Sequence, residues 1–412
     1  MKKTYFANRK DEAFMHSLPL VPVSEIKQRL QDFQQTLQQM KLDGALITQN
    51  IDIYYLSGTM QNGVLYVPKS GDPCLYVKKS VTRAEFEASI PVEEMGRMKE
   101  LGDKIRNHFG EVKRLGIEMD VLPYGLAQRY LSMFPGAEAV DVSFALRLQR
   151  AVKSSYELEQ LREAARRVHE IVVSLPEMIR LGMSEVELAA QIEYKLRVQG
   201  NISLYRMRGY NQELALGMVA SGMAAATPTY FDGPAGGLGL TTASPQGSGH
   251  KTFTSGEPIL VDISTVVEGY IIDQTRMAVV GEMDDDLQQA YEITRSILRE
   301  IEQMGRPGVS WESLYLKAVE MADQAGLKEH FMGYGKDQAK FLGHGVGLEL
   351  DELPVLARGF SQELVEGMVI AIEPKFTFPG RGVVGIENTY LVTTQGLQSL
   401  TTAPEEIVKI EA

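Results

Sequence analysis

The chain has 412 residues and a formal net charge of −12, and 44% of its residues are hydrophobic. A chain of this length exceeds one ordinary core and predicts two domains. The excess of acidic residues, together with the scattered positions of the basic ones, argues against a surface for nucleic acid. We therefore expect no nucleic-acid partner.

Cysteine content and apolar runs indicate the compartment. Cys74 is the single cysteine, so no disulfide can form within the chain, as is typical of a reducing environment. The polar residues near the N-terminus do not resemble a signal peptide, and no apolar run approaches the ~18 residues of a membrane span. We expect a cytoplasmic protein with no membrane partner.

Helix and strand patterns alternate over the first part of the chain. Apolar residues at spacings of three and four from Ile26 to Met40 predict a helix. Short apolar runs predict strands at 45–48, 53–56, 63–67 and 74–77. This alternation predicts an α/β domain, which we place at residues 1–152.

Helical patterns open the next part of the chain, and we place a second domain at residues 153–412. A long helix is predicted from about residue 155 to about residue 180. Ser184 and Glu187 form a capping box, which predicts the beginning of another helix. Two more helices are predicted at 286–304 and 310–325.

The segment Phe231–Ser248 is rich in glycine, proline, serine and threonine. Such a composition is compatible with a flexible low-complexity loop or with an ordered loop at an active site. We favour the ordered loop, because the segment directly precedes the strongest motif of the sequence.

A predicted β-hairpin in the second domain carries two aspartates in otherwise apolar strands. Asp262 and Asp273 lie on either side of a turn near Glu268 and Gly269. An antiparallel ladder would place the two aspartates opposite each other, with their Cβ atoms roughly 5 Å apart. Two desolvated carboxylates in this arrangement repel each other unless a proton or a cation neutralises them.

A second predicted hairpin repeats this arrangement with two glutamates. Glu373 and Glu387 lie in apolar strands, and the point midway between them is residue 380, in a turn. Between the two hairpins, His344 is flanked by Gly343 and Gly345, which allow another backbone to approach closely.

Four carboxylates and one imidazole form a set of ligands that suits divalent metal ions. Mn²⁺, Fe²⁺, Co²⁺ and Zn²⁺ all fit such a set, whereas a structural zinc site with thiolate ligands is excluded. Bridging carboxylates would hold two ions roughly 3.5–4 Å apart, and a hydroxide between them is a strong nucleophile. The sequence therefore predicts a centre with two divalent metal ions.

These motifs closely resemble the pita-bread metallopeptidases, the family of methionine aminopeptidase, aminopeptidase P and prolidase. The segments that carry the resemblance are Val261–Asp262, Tyr270–Arg276, Gly343–Glu349, Ile372–Pro374 and Ile386–Asn388. The first domain and the segment Arg150–Ser154 resemble the branch that contains creatinase, prolidase and aminopeptidase P.

The resemblance implies an α/β creatinase-like N-terminal domain and an α+β pita-bread C-terminal catalytic domain. It implies a homodimer, and a centre of two divalent ions such as manganese. It also implies that the metal ligands are Asp262, Asp273, His344, Glu373 and Glu387.

Three positions depart from the pattern of the prolidase-like branch. Thr229 and Asp351 stand where relatives have histidines that position the substrate, and Gly385 stands where relatives have an arginine. Such histidines donate hydrogen bonds in the transition state, so their absence predicts a rebuilt substrate site beside an intact metal centre.

Several side chains are candidates for the rebuilt site. Thr229, Asp351 and His250 are candidate catalytic residues, together with the ligand Glu373 as a proton shuttle. Lys375 is expected either to bind a substrate carboxylate or to form a salt bridge with a ligand acid. Three more residues are candidates for substrate binding, namely Tyr230, Arg206 and Arg208, although the two arginines are equally compatible with surface charges.

The leading functional hypothesis is an Xaa-Pro aminopeptidase or dipeptidase that acts on a small peptide or a similar small molecule. In that hypothesis a metal-bridging hydroxide attacks the scissile carbonyl. A metal-dependent enzyme that is not a peptidase, such as a lyase on the same fold, is the second hypothesis, since it would not require the missing histidines. A binding protein without catalysis is the third.

Overall fold

The computed structural model describes residues 17–202, 204–214 and 217–411. The chain divides into two units, Met1–Gln149 and Arg150–Ala412. No helix in the described part of the chain combines the length and the apolar character that crossing a membrane would need.

The N-terminal unit is built on a six-stranded mixed sheet with the strand order β4-β3-β2-β1-β5-β6. Its strands are β1 (Gly44–Ile47), β2 (Gly63–Pro68), β3 (Cys74–Val77), β4 (Val92–Glu94), β5 (Arg114–Ile117) and β6 (Glu138–Asp141). Its helices are α1 (Val23–Gln39), α2 (Asn50–Ser57), α3 (Val81–Glu87), α4 (Met98–Phe109) and α5 (Tyr124–Leu131), and α6 (Ser143–Ala151) follows. The predicted α/β class of this domain is confirmed.

One predicted strand of this unit is wrong. Residues 53–56 belong to the helix α2, which Gln49 caps by accepting hydrogen bonds from the backbone N–H groups of Ile51 and Asp52. Most of this helix is buried, including Asp52. A short apolar run without polar alternation is equally compatible with a buried strand and with a buried helix, and here the cap decides for the helix.

Four helices in the described part of the C-terminal unit agree with the sequence predictions, namely α7 (Ser155–Met178), α8 (Glu185–Val198), α10 (Asp285–Met304) and α11 (Trp311–Gln324). The short helix α9 (Gly222–Ala225) was not predicted. Ser184 and Glu187 form the predicted capping box at the beginning of α8. A second capping box, formed by Ser154 and Glu157, begins α7, which packs against the long strands of the first hairpin.

The strands of the C-terminal unit form three sheets with the orders β17-β9-β8-β7, β11-β10-β12-β15-β16 and β13-β14. The strands of the first are β7 (Met218–Ser221), β8 (Ile259–Val267), β9 (Tyr270–Val280) and β17 (Val408–Ile410). The others are β10 (Phe341–Gly345), β11 (Glu352–Ala357), β12 (Val369–Ile372), β13 (Lys375–Phe378), β14 (Gly382–Gly385), β15 (Asn388–Thr393) and β16 (Gly396–Ser399). Strand β9 contacts β14 and β15, so the two acid-bearing hairpins face each other inside this unit.

Candidate metal centre

The hairpin of β8 and β9 places Asp262 and Asp273 on one face of the sheet, but not opposite each other. Asp262 pairs with Thr275, and Asp273 pairs with Ser264. The predicted direct pairing of the two aspartates is therefore wrong by two residues. The turn at residues 268 and 269 has positive φ at both positions, as in a two-residue type I′ turn, and this fixes the register. The aspartates are diagonal neighbours that still point the same way.

The second hairpin has the predicted register. Ile372 pairs with Asn388 on one side of the glutamates, and Lys375 pairs with Gly385 on the other. Glu373 and Glu387 therefore stand opposite each other at the break between the two ladders, as the sequence predicted. The backbone N–H of Glu387 donates to the carbonyl of Thr275 in β9, 3.3 Å away, and this contact joins the second hairpin to the first.

His344 lies in β10, where its glycine neighbours allow the strands on both sides to come close. A Cβ atom at Gly343 would lie 2.1 Å from the carbonyl oxygen of Ala371, and one at Gly345 would lie 2.1 Å from that of Leu353. The predicted role of these glycines is thus confirmed.

The imidazole of His344 is oriented by the backbone. Its Nδ1 lies 3.1 Å from the carbonyl oxygen of Leu350, to which the protonated nitrogen can donate. Its Nε2 faces the carboxylates, 3.8 Å from Oε1 of Glu373. A histidine held in this way through one nitrogen presents the other to a metal ion.

The five predicted ligands form two overlapping groups. Asp273, His344 and Glu387 form one group, and Asp262, Glu373 and Glu387 form the other. Within each group the ligand atoms all lie within 4.8 Å of one another. Glu387 belongs to both groups, which is the arrangement that a bridging carboxylate requires.

These groups lie on the wall of a cavity of ≈ 230 Å³. All five candidate ligands line it, and so does Asp351. Phe231, Asp232, Gly233, Pro234 and Ala235 line it too, together with Gln246 and Gly247. The glycine- and proline-rich segment therefore borders the candidate centre, as expected for an ordered loop at an active site.

Burial of the candidate centre disfavours the charged forms of its side chains. Burial and the neighbouring Glu387 carboxylate raise the pKa of Asp273 well above its usual value. Burial also raises the pKa of Asp262 and that of Glu387, although Lys375 opposes this rise at both. For His344, burial acts against the charged form, but the carboxylates of Asp351, Glu373 and Glu387 raise its pKa. At Asp273, where burial and the neighbouring carboxylates together disfavour the charged form, a divalent ion would supply the compensating positive charge.

One oxygen of the shared glutamate supports a metal ion in the first group. Among the described residues, Oε1 of Glu387 is buried and has no hydrogen-bond partner. Such an atom is costly to bury, and coordination of an ion would offset that cost. Asp273, His344 and Glu387 therefore fit a divalent ion.

The second group already contains a cation. The ammonium of Lys375 lies 3.2 Å from Asp262 Oδ2, 2.6 Å from Glu373 Oε2 and 3.4 Å from Glu387 Oε2. The Lys375 side chain is fully buried beneath these carboxylates. Of the two roles predicted for Lys375, the structure has the salt bridge, which Lys375 forms with these candidate ligand acids.

Two residues whose hydroxyl groups lie next to the candidate ligands were not among the predicted site residues. Ser264 donates a 2.7 Å hydrogen bond to Oδ1 of Asp273 and lines the cavity. Thr275 donates a 2.7 Å hydrogen bond to Oε2 of Glu387. The sequence contained a signal for Ser264, because it lies two residues after Asp262 and strand alternation places both on one face.

Three other candidate site residues lie away from the candidate metal ligands. Thr229 and Tyr230 line a second pocket, which shares residues 231–235 with the wall of the cavity. The Tyr230 hydroxyl donates to the carbonyl of Glu213, 3.0 Å away. His250 is exposed and lines neither pocket. Their proposed roles in the reaction gain no support from these positions.

Asp351 and the two arginines have different surroundings. The Asp351 side chain is 37% exposed and lies 3.5 Å from Nδ1 of His344, at the cavity. The Arg208 side chain is buried and lies 3.8 Å from Glu349, which also pairs with Arg150. The carbonyl of Arg206 accepts a hydrogen bond from the N–H of Leu350, but neither arginine lines the cavity.

Two family models match the chain. Residues 159–394 match metallopeptidase family M24, and residues 29–152 match the creatinase/prolidase N-terminal domain. The chain belongs to metallopeptidase family M24. It thus carries the catalytic domain of a metal-dependent peptidase, and the predicted resemblance and fold class are confirmed.

Proteins similar to this M24 chain include two archaeal enzymes. It is 28% identical to the Xaa-Pro dipeptidase of Pyrococcus horikoshii over 369 residues, which cover 89% of this chain and 95% of that protein. It is 28% identical to the Xaa-Pro dipeptidase of Pyrococcus furiosus over 385 residues, 93% of this chain and 100% of the other.

Solved structures agree with the fold. The crystal structure of the prolidase from Pyrococcus horikoshii matches with a TM-score of 0.78 at 27% identity, covering 92% of this chain and 100% of that one. The dipeptidase PepE from Mycobacterium ulcerans matches with a TM-score of 0.80 at 24% identity, over 96% of this chain and 100% of that one. This M24 chain therefore has the prolidase fold over most of its length.

Proposed function

We propose that this M24 protein is a prolidase-like hydrolase that cleaves an Xaa-Pro dipeptide or a short Xaa-Pro peptide. The observation that carries the proposal is the cluster of Asp262, Asp273, His344, Glu373 and Glu387 on the wall of one cavity. Two similar proteins that are matched over almost their whole length are Xaa-Pro dipeptidases, which supports the same substrate class.

The size of the cavity favours a small substrate. Its ≈ 230 Å³ lies below the ~300–1,000 Å³ that is usual for sites of drug-sized ligands. The Phe231–Ala235 stretch of the bordering loop forms part of its wall. A dipeptide or the first residues of a short peptide suit this space better than an internal segment of a folded protein.

The proposed chemistry assigns separate tasks to the ligands and to their neighbours. Asp273, His344 and Glu387 would hold a divalent ion, which supplies Lewis acidity to polarise the scissile carbonyl and to activate water. Glu373 lines the cavity, and in this proposal it takes the proton of the attacking water and passes it to the leaving nitrogen. Ser264 and Thr275 hold two ligand carboxylates in position.

Asp351 has a proposed role in recognition. Its half-exposed carboxylate lies at the cavity beside His344, at the position where the family pattern has a histidine. A carboxylate cannot donate a hydrogen bond to an oxyanion when it is ionised, but it can accept one from an ammonium. We assign Asp351 to the free amino group of the peptide substrate.

The remaining properties are supported by the resemblance and the family match. M24 peptidases are dinuclear metal enzymes, and this chain carries both groups of ligands, with manganese as the proposed ion. A homodimer and a cytoplasmic location are proposed as well. The proposed functional division is a creatinase-like domain at 1–152 and a catalytic domain at 153–412, which the two family matches support.

A substrate panel tests the proposed function. The stripped protein would be reloaded with Mn²⁺ and assayed on Xaa-Pro dipeptides, on longer Xaa-Pro peptides and on matched Xaa-Ala peptides. We expect cleavage that depends on Mn²⁺ and on proline in the second position. If the Mn²⁺-loaded protein cleaves none of these peptides, the peptidase proposal fails, and a lyase on the same centre becomes the better account.

A further inference from the structure

The ammonium of Lys375 lies among the carboxylates of one of the two ligand groups. Its ammonium lies within 3.4 Å of carboxylate oxygens from Asp262, Glu373 and Glu387. These are the same three residues that form the second group of candidate metal ligands. An ammonium has three N–H donors, and here each of the three has one carboxylate to bind.

The surrounding backbone is shaped for this lysine. Lys375 pairs directly with Gly385 in the ladder of β13 and β14. A Cβ atom at Gly385 would lie 2.3 Å from Cγ and 2.8 Å from Cβ of Lys375, so the lysine stem fills the space that any other side chain at 385 would need. The carbonyl of Lys375 also accepts a 2.9 Å hydrogen bond from the N–H of Met332, which fixes the strand beneath it.

An ammonium and a divalent ion compete for the same three carboxylates. Both are cations, and an ion among Asp262, Glu373 and Glu387 would lie within a few ångströms of the Lys375 ammonium in a buried site, where repulsion between like charges is weakly screened. The ammonium also uses Glu373 Oε2 and Glu387 Oε2 as acceptors. The first group differs, because Oε1 of Glu387 lacks a partner among the described residues.

We propose that Lys375 is a built-in cation that replaces one of the two divalent ions, so that the protein binds a single ion at Asp273, His344 and Glu387. Asp262 is then the partner of Lys375 and not a metal ligand. The proposal rests on the metal centre of the proposed function and changes its composition. The lysine, held opposite Gly385, supplies the fixed positive charge that a second ion would otherwise bring to Glu373 and Glu387.

The number of metal ions bound per chain tests this proposal directly. The full chain and its variants would be equilibrated with excess Mn²⁺, freed of loosely bound ions by gel filtration and analysed for manganese per chain by mass spectrometry. We expect one ion in the wild type, one in Asp262→Asn and two in Lys375→Ala. Lys251→Ala is the matched control, because Lys251 forms an ion pair with Glu257 and does not line the cavity, and it should hold one ion.

Each other outcome identifies which claim fails. Two ions in the wild type and one in Asp262→Asn would overturn the replacement by Lys375 and leave the proposed function standing. One ion in a folded Lys375→Ala variant would also overturn it. No ion in any protein would overturn the metal centre of the proposed function, and this inference with it. The wild type and Asp262→Asn decide the question even if Lys375→Ala does not fold.

Discussion

Lys375 and Gly385 are direct cross-strand partners, and the side chain of the lysine occupies the space next to the glycine Cα. We therefore expect Gly385→Ala to clash with the Lys375 stem and to lower the free energy of unfolding by about 1–3 kcal/mol. Denaturant melts would measure this. Gly125→Ala is the control, because a Cβ atom there meets no atom of the described residues within 4 Å.

A double variant distinguishes a clash with Lys375 from a general backbone effect. Lys375→Ala removes the Cγ contact but keeps Cα and Cβ of residue 375, each 2.8 Å from the added Cβ atom, so Gly385→Ala should cost less in that background than in the wild type without becoming neutral. An equal cost in both backgrounds would show that the lysine stem beyond Cβ does not contribute to the clash.

Ser264→Ala should weaken metal binding without removing it. The Ser264 hydroxyl holds Oδ1 of Asp273 through a 2.7 Å hydrogen bond, and loss of such a supporting contact typically costs ~10–100-fold in metal affinity. Titration with Mn²⁺ by calorimetry would measure the affinity. Ser296→Ala, on the exposed face of α10, should bind Mn²⁺ as the wild type does, and an unchanged affinity in Ser264→Ala would contradict the assigned contact.

Asp351→Asn should impair substrate binding more than metal binding. If the Asp351 carboxylate holds the amino group of the peptide, its neutralisation should raise KM by roughly 10-fold or more, with the bound metal unchanged. Steady-state kinetics and metal analysis on the same preparation would check both. A variant with wild-type KM would contradict the recognition role, and a variant that loses its metal would show that Asp351 supports the centre instead.

The buried carboxylate of Glu352 makes the stability of the folded protein depend on pH in the acid range. Burial alone would raise the pKa of Glu352, but Arg150 and Lys153 lower it to about 2, against an ordinary value of 4.5. A lowered pKa contributes stability that is complete above about pH 4.5 and is lost as the pH falls towards 2. This contribution is roughly 3 kcal/mol.

Glu352→Gln tests that linkage. The variant leaves the buried Arg150 and Lys153 without this partner, so it should be about 3–5 kcal/mol less stable at neutral pH. The difference from the wild type should shrink between pH 4.5 and pH 2, since the wild-type carboxylate becomes protonated there. Unfolding curves at several pH values would show this, and a difference that stays constant over that range would refute it.

The sequence was most informative where a short segment allows only one local structure. The pairing of Glu373 with Glu387 followed from a turn centred on residue 380, and the capping box at Ser184 marked the beginning of α8. The position of His344 between two close strands followed from its glycine neighbours. These features depend on residues near each other in the chain.

The sequence was less informative where a small difference in geometry decides the result. Asp262 and Asp273 were placed opposite each other, but the two-residue turn shifts the pairing so that Asp273 meets Ser264. The run 53–56 is helical because Gln49 caps it, which apolar content alone does not reveal. The burial of Lys375 needed the opposite strand, because only Gly385 leaves room for it.

The central claim is metal-dependent cleavage at this centre. The most direct measurement compares the wild type and Asp273→Asn, each stripped and then reloaded with Mn²⁺, in the release of the N-terminal residue from an Xaa-Pro dipeptide. We expect release by the reloaded wild type, none by the stripped protein, and a loss of several orders of magnitude in the variant. Equal cleavage by the stripped protein or by the variant would contradict the account.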